Sequence, residues 1–204
     1  MIGKWLKVLA LACAAAFATS DPGSALELTP AQAEGPYYPR NKPADTDADL
    51  TRIGNGPAAK GHVLAIEARV VDPDGKPIDG ARVEIWQTDA QGIYMHPDDP
   101  RSRRRDPNFQ SYGEARTDTH GRARFTTIRP PPYEGRPAHI HVKVIPPGGR
   151  TLTTQLYFAG DPGLGRDGIA RRLGKALDQV TLSPAASADG RLEAAITLVV
   201  RRGR

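Results

Sequence analysis

The stretch HVLAIEARVVD, residues 62–72, sets apolar side chains at alternate positions. The same alternation returns, less strictly, in ARVEIWQTD (81–89), AHIHVKVI (138–145), TLTTQLYF (151–158) and LEAAITLVV (192–200). A strand keeps residues i, i+2 and i+4 on one face, whereas a helix scatters them. Turn signals separate these runs: PDGKP follows the first, and a turn around Asp118–Gly121 divides GEARTDTHGRARFTTI (113–128) into two short strands. We read the first two runs as a β-hairpin. With 21 glycines and 19 prolines in 204 residues, the composition also disfavours a helical protein. Only GIARRLGKALDQV, residues 168–180, carries a helical stripe, through Ile169, Leu173 and Leu177. The fold class expected is all-β, an antiparallel β-sandwich with an extended N-terminal arm and at most one short helix.

The expected organisation is a signal peptide over residues 1–18, an arm without periodicity over 19–60, and one β-sandwich catalytic domain over 61–204. Lys4 and Lys7 precede the apolar run Val8–Ala18, which is too short to span a bilayer, and Ala16-Phe17-Ala18 is an A-x-A cleavage signal. Cleavage as late as residue 25 is the second option. Export to the periplasm or medium follows, with no membrane attachment after processing. The one cysteine, Cys13, would leave with the leader, so no disulfide is expected in the mature chain. The formal charge of +5 falls to +3 when the two leader lysines go, too little for nucleic-acid binding. The densest basic run, Arg101–Arg105, lies among Pro and Asp and reads as a solvated loop.

In RPAHIHVKV (136–144), His139, His141 and Lys143 share one strand face while Ala138, Ile140, Val142 and Val144 share the other. Alone, the pair is compatible with an ordinary polar strand face. It is also a short chelating unit, both rings projecting the same way, and two further ligands must then come from elsewhere. Tyrosine is scarce, six in all, and two are placed suggestively: Tyr94 just past a strand end in DAQGIYMHP, and Tyr133 in the stiff loop RPPPYEGRP, six residues before His139. Phenolate is a hard anionic donor suited to Fe(III), and two tyrosinates, two neutral imidazoles and one hydroxide would balance a trivalent ion. Zinc sites favour Cys, His and carboxylate instead.

The segments EGPYYP (34–39), GARVEIWQTDAQGIYMHP (80–97), DPNFQSYGEARTDTHGRARFTTIRPPPY (106–133), RPAHIHVKV and TTQLYFAGD (153–161) occur in an order that resembles the intradiol ring-cleavage dioxygenases, most of all an iron-binding protocatechuate 3,4-dioxygenase subunit. The resemblance implies one Fe(III) per chain, held by Tyr94, Tyr133, His139 and His141, with Tyr133 and His141 axial. It implies that Arg136 stabilises charge on a bound catecholate, that Gln155 is a polar pocket residue, and that substrate displaces Tyr133, which takes a proton. The implied reaction opens a catechol-type ring between its two hydroxyl-bearing carbons with O2, giving a cis,cis-muconate. Three departures touch the pocket wall: a short interval from Tyr133 to His139, Ile93 where the family often has Arg, and Val142 in place of an aromatic. They leave the identity of the catechol open, as is the choice between monomer and homo-oligomer. The alternative from another class is a non-catalytic, exported transthyretin-like binding module, suggested by VVDPDGKPIDGARVEIWQTDAQG (70–92) alone.

Overall fold

A computed structural model describes residues 25–203; the expected leader, with Cys13, lies outside the described residues. Among the described residues the strands are β1 (Val63–Val71), β2 (Arg82–Trp86), β3 (Tyr112–Arg116), β4 (Arg122–Ile128), β5 (His139–Ile145), β6 (Leu152–Phe158), β7 (Thr181–Leu182), β8 (Ala185–Ala186) and β9 (Leu192–Val199). They form two sheets, one of four strands in the order β4-β1-β9-β8 and one of five in the order β3-β2-β5-β6-β7. The β-sandwich expected from the alternation is the fold observed. Its sheets are mixed, because β1 pairs parallel with β9 and β6 parallel with β7, while the remaining pairs are antiparallel. No helix among the described residues is long and apolar enough to cross a membrane.

The expected β1–β2 hairpin does not form. The two strands lie in opposite sheets, and so do β3 and β4. Both turns are arches that carry the chain across the core. Alternation tells which side chains face inward, and it reads the same whether the next strand lies beside its predecessor or opposite it. The arches lock together where the Val70 amide donates to Gly121 O. Gly121 has φ +74, and a Cβ there would sit 2.4 Å from Val70 O, so the crossing requires glycine. Between the sheets pack Leu64, Ile66, Val70, Val83, Ile85, Phe125, Ile140, Val142, Val144, Leu156 and Phe158, all buried.

The expected helix over 168–180 is broken. A short α1 (Gly168–Arg171) begins at Asp167, whose carboxylate accepts from the amides of Ile169 and Ala170. A 3-10 segment then runs from Gly174 to Val180. Gly174, at φ +54, interrupts the α path, and Leu173 and Leu177 still pack against the core.

The two outer faces differ in kind. On the four-stranded sheet Glu67 lies between Arg122 and Arg124 in exposed ion pairs. The outer face of the five-stranded sheet carries one row running Tyr112, Trp86, His141, Gln155, matched strand to strand. That face is covered. Residues 25–62 contribute no helix or strand, only an isolated bridge from Asp49 to Thr126, and part of this segment runs over the row. Both faces of β5 are therefore dry at its start, with His139 and His141 each only 2% exposed.

Candidate metal centre

The register of three strands sets the floor of the site. His139 stands opposite Tyr157 and His141 opposite Gln155 on β6, while Trp86 on β2 stands opposite His141. Trp86 stacks on the His141 ring, with centroids 4.8 Å apart and planes at 14°. Each histidine is thus fixed by strand pairing before any ligand is considered.

Two loops bring the tyrosines. Between β4 and β5, Tyr133 and Arg136 exchange backbone hydrogen bonds across a two-residue turn. The turn residues, Glu134 and Gly135, have φ of 49° and 77°, as a mirror-image hairpin turn demands. After β2, Asp89 Oδ1 accepts from the Gln91 and Ile93 amides, and Asp99 accepts from the Tyr94 amide, which fixes the second loop. The loops touch at Gly92, where a Cβ would come 3.2 Å from Tyr133 Cβ. The four rings then close a circuit. Centroid separations are 5.2 Å for Tyr94–Tyr133, 5.2 Å for Tyr133–His139, 5.0 Å for His139–His141 and 6.2 Å for His141–Tyr94.

The electrostatics suit cation binding. Burial holds the His139 imidazole down at about 4, with the Arg136 charge adding to the effect, and burial holds His141 well below its usual range. Both rings are neutral and able to donate a lone pair. His139 Nδ1 is bonded to Pro137 O, which leaves Nε2 as the donor atom. Burial also raises Tyr133, and raises Tyr94 far more, Tyr133 contributing in the latter case. Without a cation both phenols stay protonated. The Tyr94 hydroxyl is buried with no hydrogen-bond partner, although the Tyr133 phenol is close enough to influence its titration, and His141 Nδ1 is orphaned too. Unpartnered buried polar atoms are costly, and a metal would satisfy the phenol. Among the described residues no group of three or more His, Cys, Asp or Glu side chains is placed to hold a metal ion. An ion in this ring must therefore accept phenolate, which favours a hard trivalent cation such as Fe(III).

Arg136 stands at the edge of the ring. Its guanidinium donates to Asp167 through Nε and Nη2, to Gln155 Oε1 at 2.9 Å and to the Tyr157 hydroxyl, and Nη1 lies 3.1 Å from His139 Nε2. Gln155 thus acts on Arg136, and its Nε2 donates to Ala33 O in the N-terminal segment. The sequence reading passed over Asp167, Tyr157, Trp86 and Gln32. Of these, Tyr157 was within reach, because the spacing of TTQLYF puts it on the same strand face as Gln155. Ile93 and Val142 are buried. In the basic loop, Arg101 is structural, donating to Gly92 O and Asp99, while Arg103 and Arg104 are exposed. A concavity of about 840 Å³ lies over the outer face of the four-stranded sheet, lined by Ala65, Glu67, Arg124 and Glu193 among others. Its carboxylates do not converge as a metal-holding group of three, and the chemistry points to the ring.

The sequence signature of the dioxygenase family matches residues 33–199. The chain is 39% identical over 144 residues to a protocatechuate 3,4-dioxygenase beta chain of Burkholderia cepacia, covering 66% of this chain and 61% of that one. It is 36% identical over 152 residues to a catechol 1,2-dioxygenase of Acinetobacter baylyi, covering 66% of this chain and 47% of the relative. It therefore spans between about half and three fifths of the length of these relatives. The dioxygenase domain of a dioxygenase–carbohydrate-binding fusion from Streptomyces sp. SirexAA-E superposes with a TM-score of 0.68 at 29% identity, over 86% of this chain and 99% of that one. Catechol 1,2-dioxygenase from Acinetobacter sp. ADP1 gives 0.66 at 30% identity, over 85% of this chain and 63% of that one. The matched region takes in every strand and both tyrosine loops, and on that ground the chain belongs to the dioxygenase family, among its intradiol ring-cleaving members.

Proposed function

We propose that this protein is a non-haem Fe(III) intradiol dioxygenase that opens a catechol-type ring with O2 to a cis,cis-muconate. One observation carries the reading: two phenols and two neutral imidazoles form a closed, buried circuit in which the Tyr94 hydroxyl faces only the Tyr133 phenol and makes no hydrogen bond of ordinary geometry. Tyr94, Tyr133, His139 and His141 would hold the ion, one per chain. Bound there, Fe(III) supplies Lewis acidity that draws electron density from a catecholate and makes its ring reactive towards O2.

The protein's own groups prepare the substrate. Tyr133 sits on a two-residue turn and is less deeply buried than Tyr94, so of the two phenols it is the one whose Oη would be free to take a catechol proton. Arg136 supplies positive charge beside the ring to stabilise the anion that results. Asp167 aims the guanidinium through two hydrogen bonds, and Gln155 limits its swing. The His139 Nε2 lone pair that now accepts from Arg136 is the one an ion would need. When Arg136 yields that contact it keeps Asp167, Gln155 and Tyr157.

Export is part of the proposal, supported by the charged start and short apolar run of residues 1–18; N-terminal sequencing of protein recovered outside the cytoplasm tests it. The function is tested by spectral and activity screening of the iron-loaded protein against catechol, protocatechuate, hydroxyquinol and substituted catechols. A red-brown phenolate-to-iron band and a ring-opened product are expected. A colourless iron-treated protein would overturn the reading.

A further inference from the structure

The N-terminal segment from Gln32 to Lys42 crosses the metal-site face of the five-stranded sheet and is fastened on both sides of His141. On the β6 side, Gln32 donates to Thr154 Oγ1 and Gln155 O and accepts from the Tyr157 hydroxyl, while Ala33 O accepts from Gln155. In the middle, Glu34 pairs with Lys143, whose ammonium lies 3.4 Å from the centre of the Tyr38 ring. On the β2 side, Glu84 is fully buried and accepts from the Tyr38 hydroxyl at 2.7 Å and from Lys42 at 2.9 Å, with Arg82 beside it. Lys42 also pairs with Glu114, so two carboxylates face two cations and the cluster is neutral.

Between the fastenings the backbone passes over the proposed ligands. Gly35, at φ +78, lies so close to His141 that a Cβ would come 3.2 Å from Cε1. Tyr37 stacks on Tyr94, with centroids 4.6 Å apart. His141 has no hydrogen bond at Nδ1, so stacking by Trp86 and the backbone at Gly35 are what hold its ring. Lys143 and Glu84 stand two residues from His141 and Trp86 on the same face. The fastening points therefore surround one ligand.

We propose that this segment is a strap whose docking and metal retention are coupled, and that Glu84 is its positioning residue: Glu84 touches neither metal nor substrate and acts by holding Gly35 and Tyr37 against His141 and Tyr94. The inference rests on the metal site proposed above. Coupling is reciprocal, so a bound ion must also tighten the strap.

The test uses the full chain loaded with Fe(III), with release to a chelator followed through the phenolate band. Tyr38→Phe removes only the strap's hydroxyl contact to Glu84, and Glu84→Gln weakens the charge-assisted bonds to Lys42. Each should speed release by about tenfold or more, the factor that loss of such a hydrogen bond carries. Thr117→Val removes two buried hydrogen bonds at the opposite end of β2, one donated to Ile78 O and one accepted from the Ala81 amide, and serves as the control for general destabilisation; it should leave the release rate unchanged. A second readout needs no turnover. Within the strap trypsin can cut after Arg40, whereas Pro43 shields the bond after Lys42, and Fe(III) should slow cleavage at Arg40 in the wild type more than in Glu84→Gln. Equal release rates in wild type and both strap variants, or cleavage at Arg40 that ignores the metal, would overturn the strap while leaving the metal site standing. A wild-type protein that never develops the band would overturn both.

Discussion

At the scale of single residues, the site is built from groups that would be poor on their own: two phenols too buried to ionise and two imidazoles too buried to protonate. Tyr133→Phe should shift the charge-transfer band and lower kcat/KM by about a hundredfold or more, the range a positioned base contributes, measured by steady-state kinetics on the iron-loaded protein. Asp167→Asn should cost about tenfold in kcat/KM through loss of the charge-assisted bond that aims Arg136. The metal-free protein should also be acid-sensitive for a stated reason. His139 titrates near 4 when folded against 6.5 when free, so the unfolded chain binds the proton more readily. Stability is full above about pH 6.5, declines as pH falls from 6.5 to about 4, by about 3 kcal/mol for this ring, and levels off below. His141 is shifted the same way. Chemical denaturation of metal-free protein at pH 7.5 and pH 4 checks the sign. The four rings stand out in the sequence through the ordered family segments that carry them, whereas spacing and residue type alone leave His139 and His141 on an ordinary polar strand face. Asp167 and Gln32 do not stand out, since they meet Arg136 and Gln155 across 31 and 123 residues and nothing local announces the encounter.

At the scale of elements, alternation located the long strands and put the correct residues inward, yet it misjudged what lay between them. The β1–β2 and β3–β4 connections are arches rather than hairpins, because periodicity records a strand's buried face and not its neighbour. Continuous apolar spacing over 168–180 likewise concealed the break that Gly174 imposes. The turn carrying Tyr133 and Arg136 invites a test. Gly135 has φ +77 and open space around it, so Gly135→Ala should destabilise by about 1 kcal/mol from backbone strain alone. Gly165→Ala, also in open space but without a positive φ, should be near neutral. Melting temperatures of the two variants separate strain from packing, and only Gly135→Ala should also disturb turnover, by shifting Arg136.

At the scale of the whole molecule, the sandwich exposes one charged outer face and covers the other. His-x-His on a strand would ordinarily face water; the unpatterned residues before β1 read as an arm that wraps the domain or meets a partner, and the structure lays part of them over this face. That covering turns a polar strand face into a water-poor site in which phenolate and a trivalent ion would stabilise one another. Whether Tyr94, Tyr133, His139 and His141 together hold Fe(III) is measured by the visible spectrum of the purified protein during titration with Fe(III), alongside His139→Ala. A broad phenolate-to-iron band that saturates at one iron per chain is expected in the wild type and should be absent from a folded His139→Ala. A wild type that stays colourless, or a His139→Ala variant that binds iron with the same band, would contradict this ligand set.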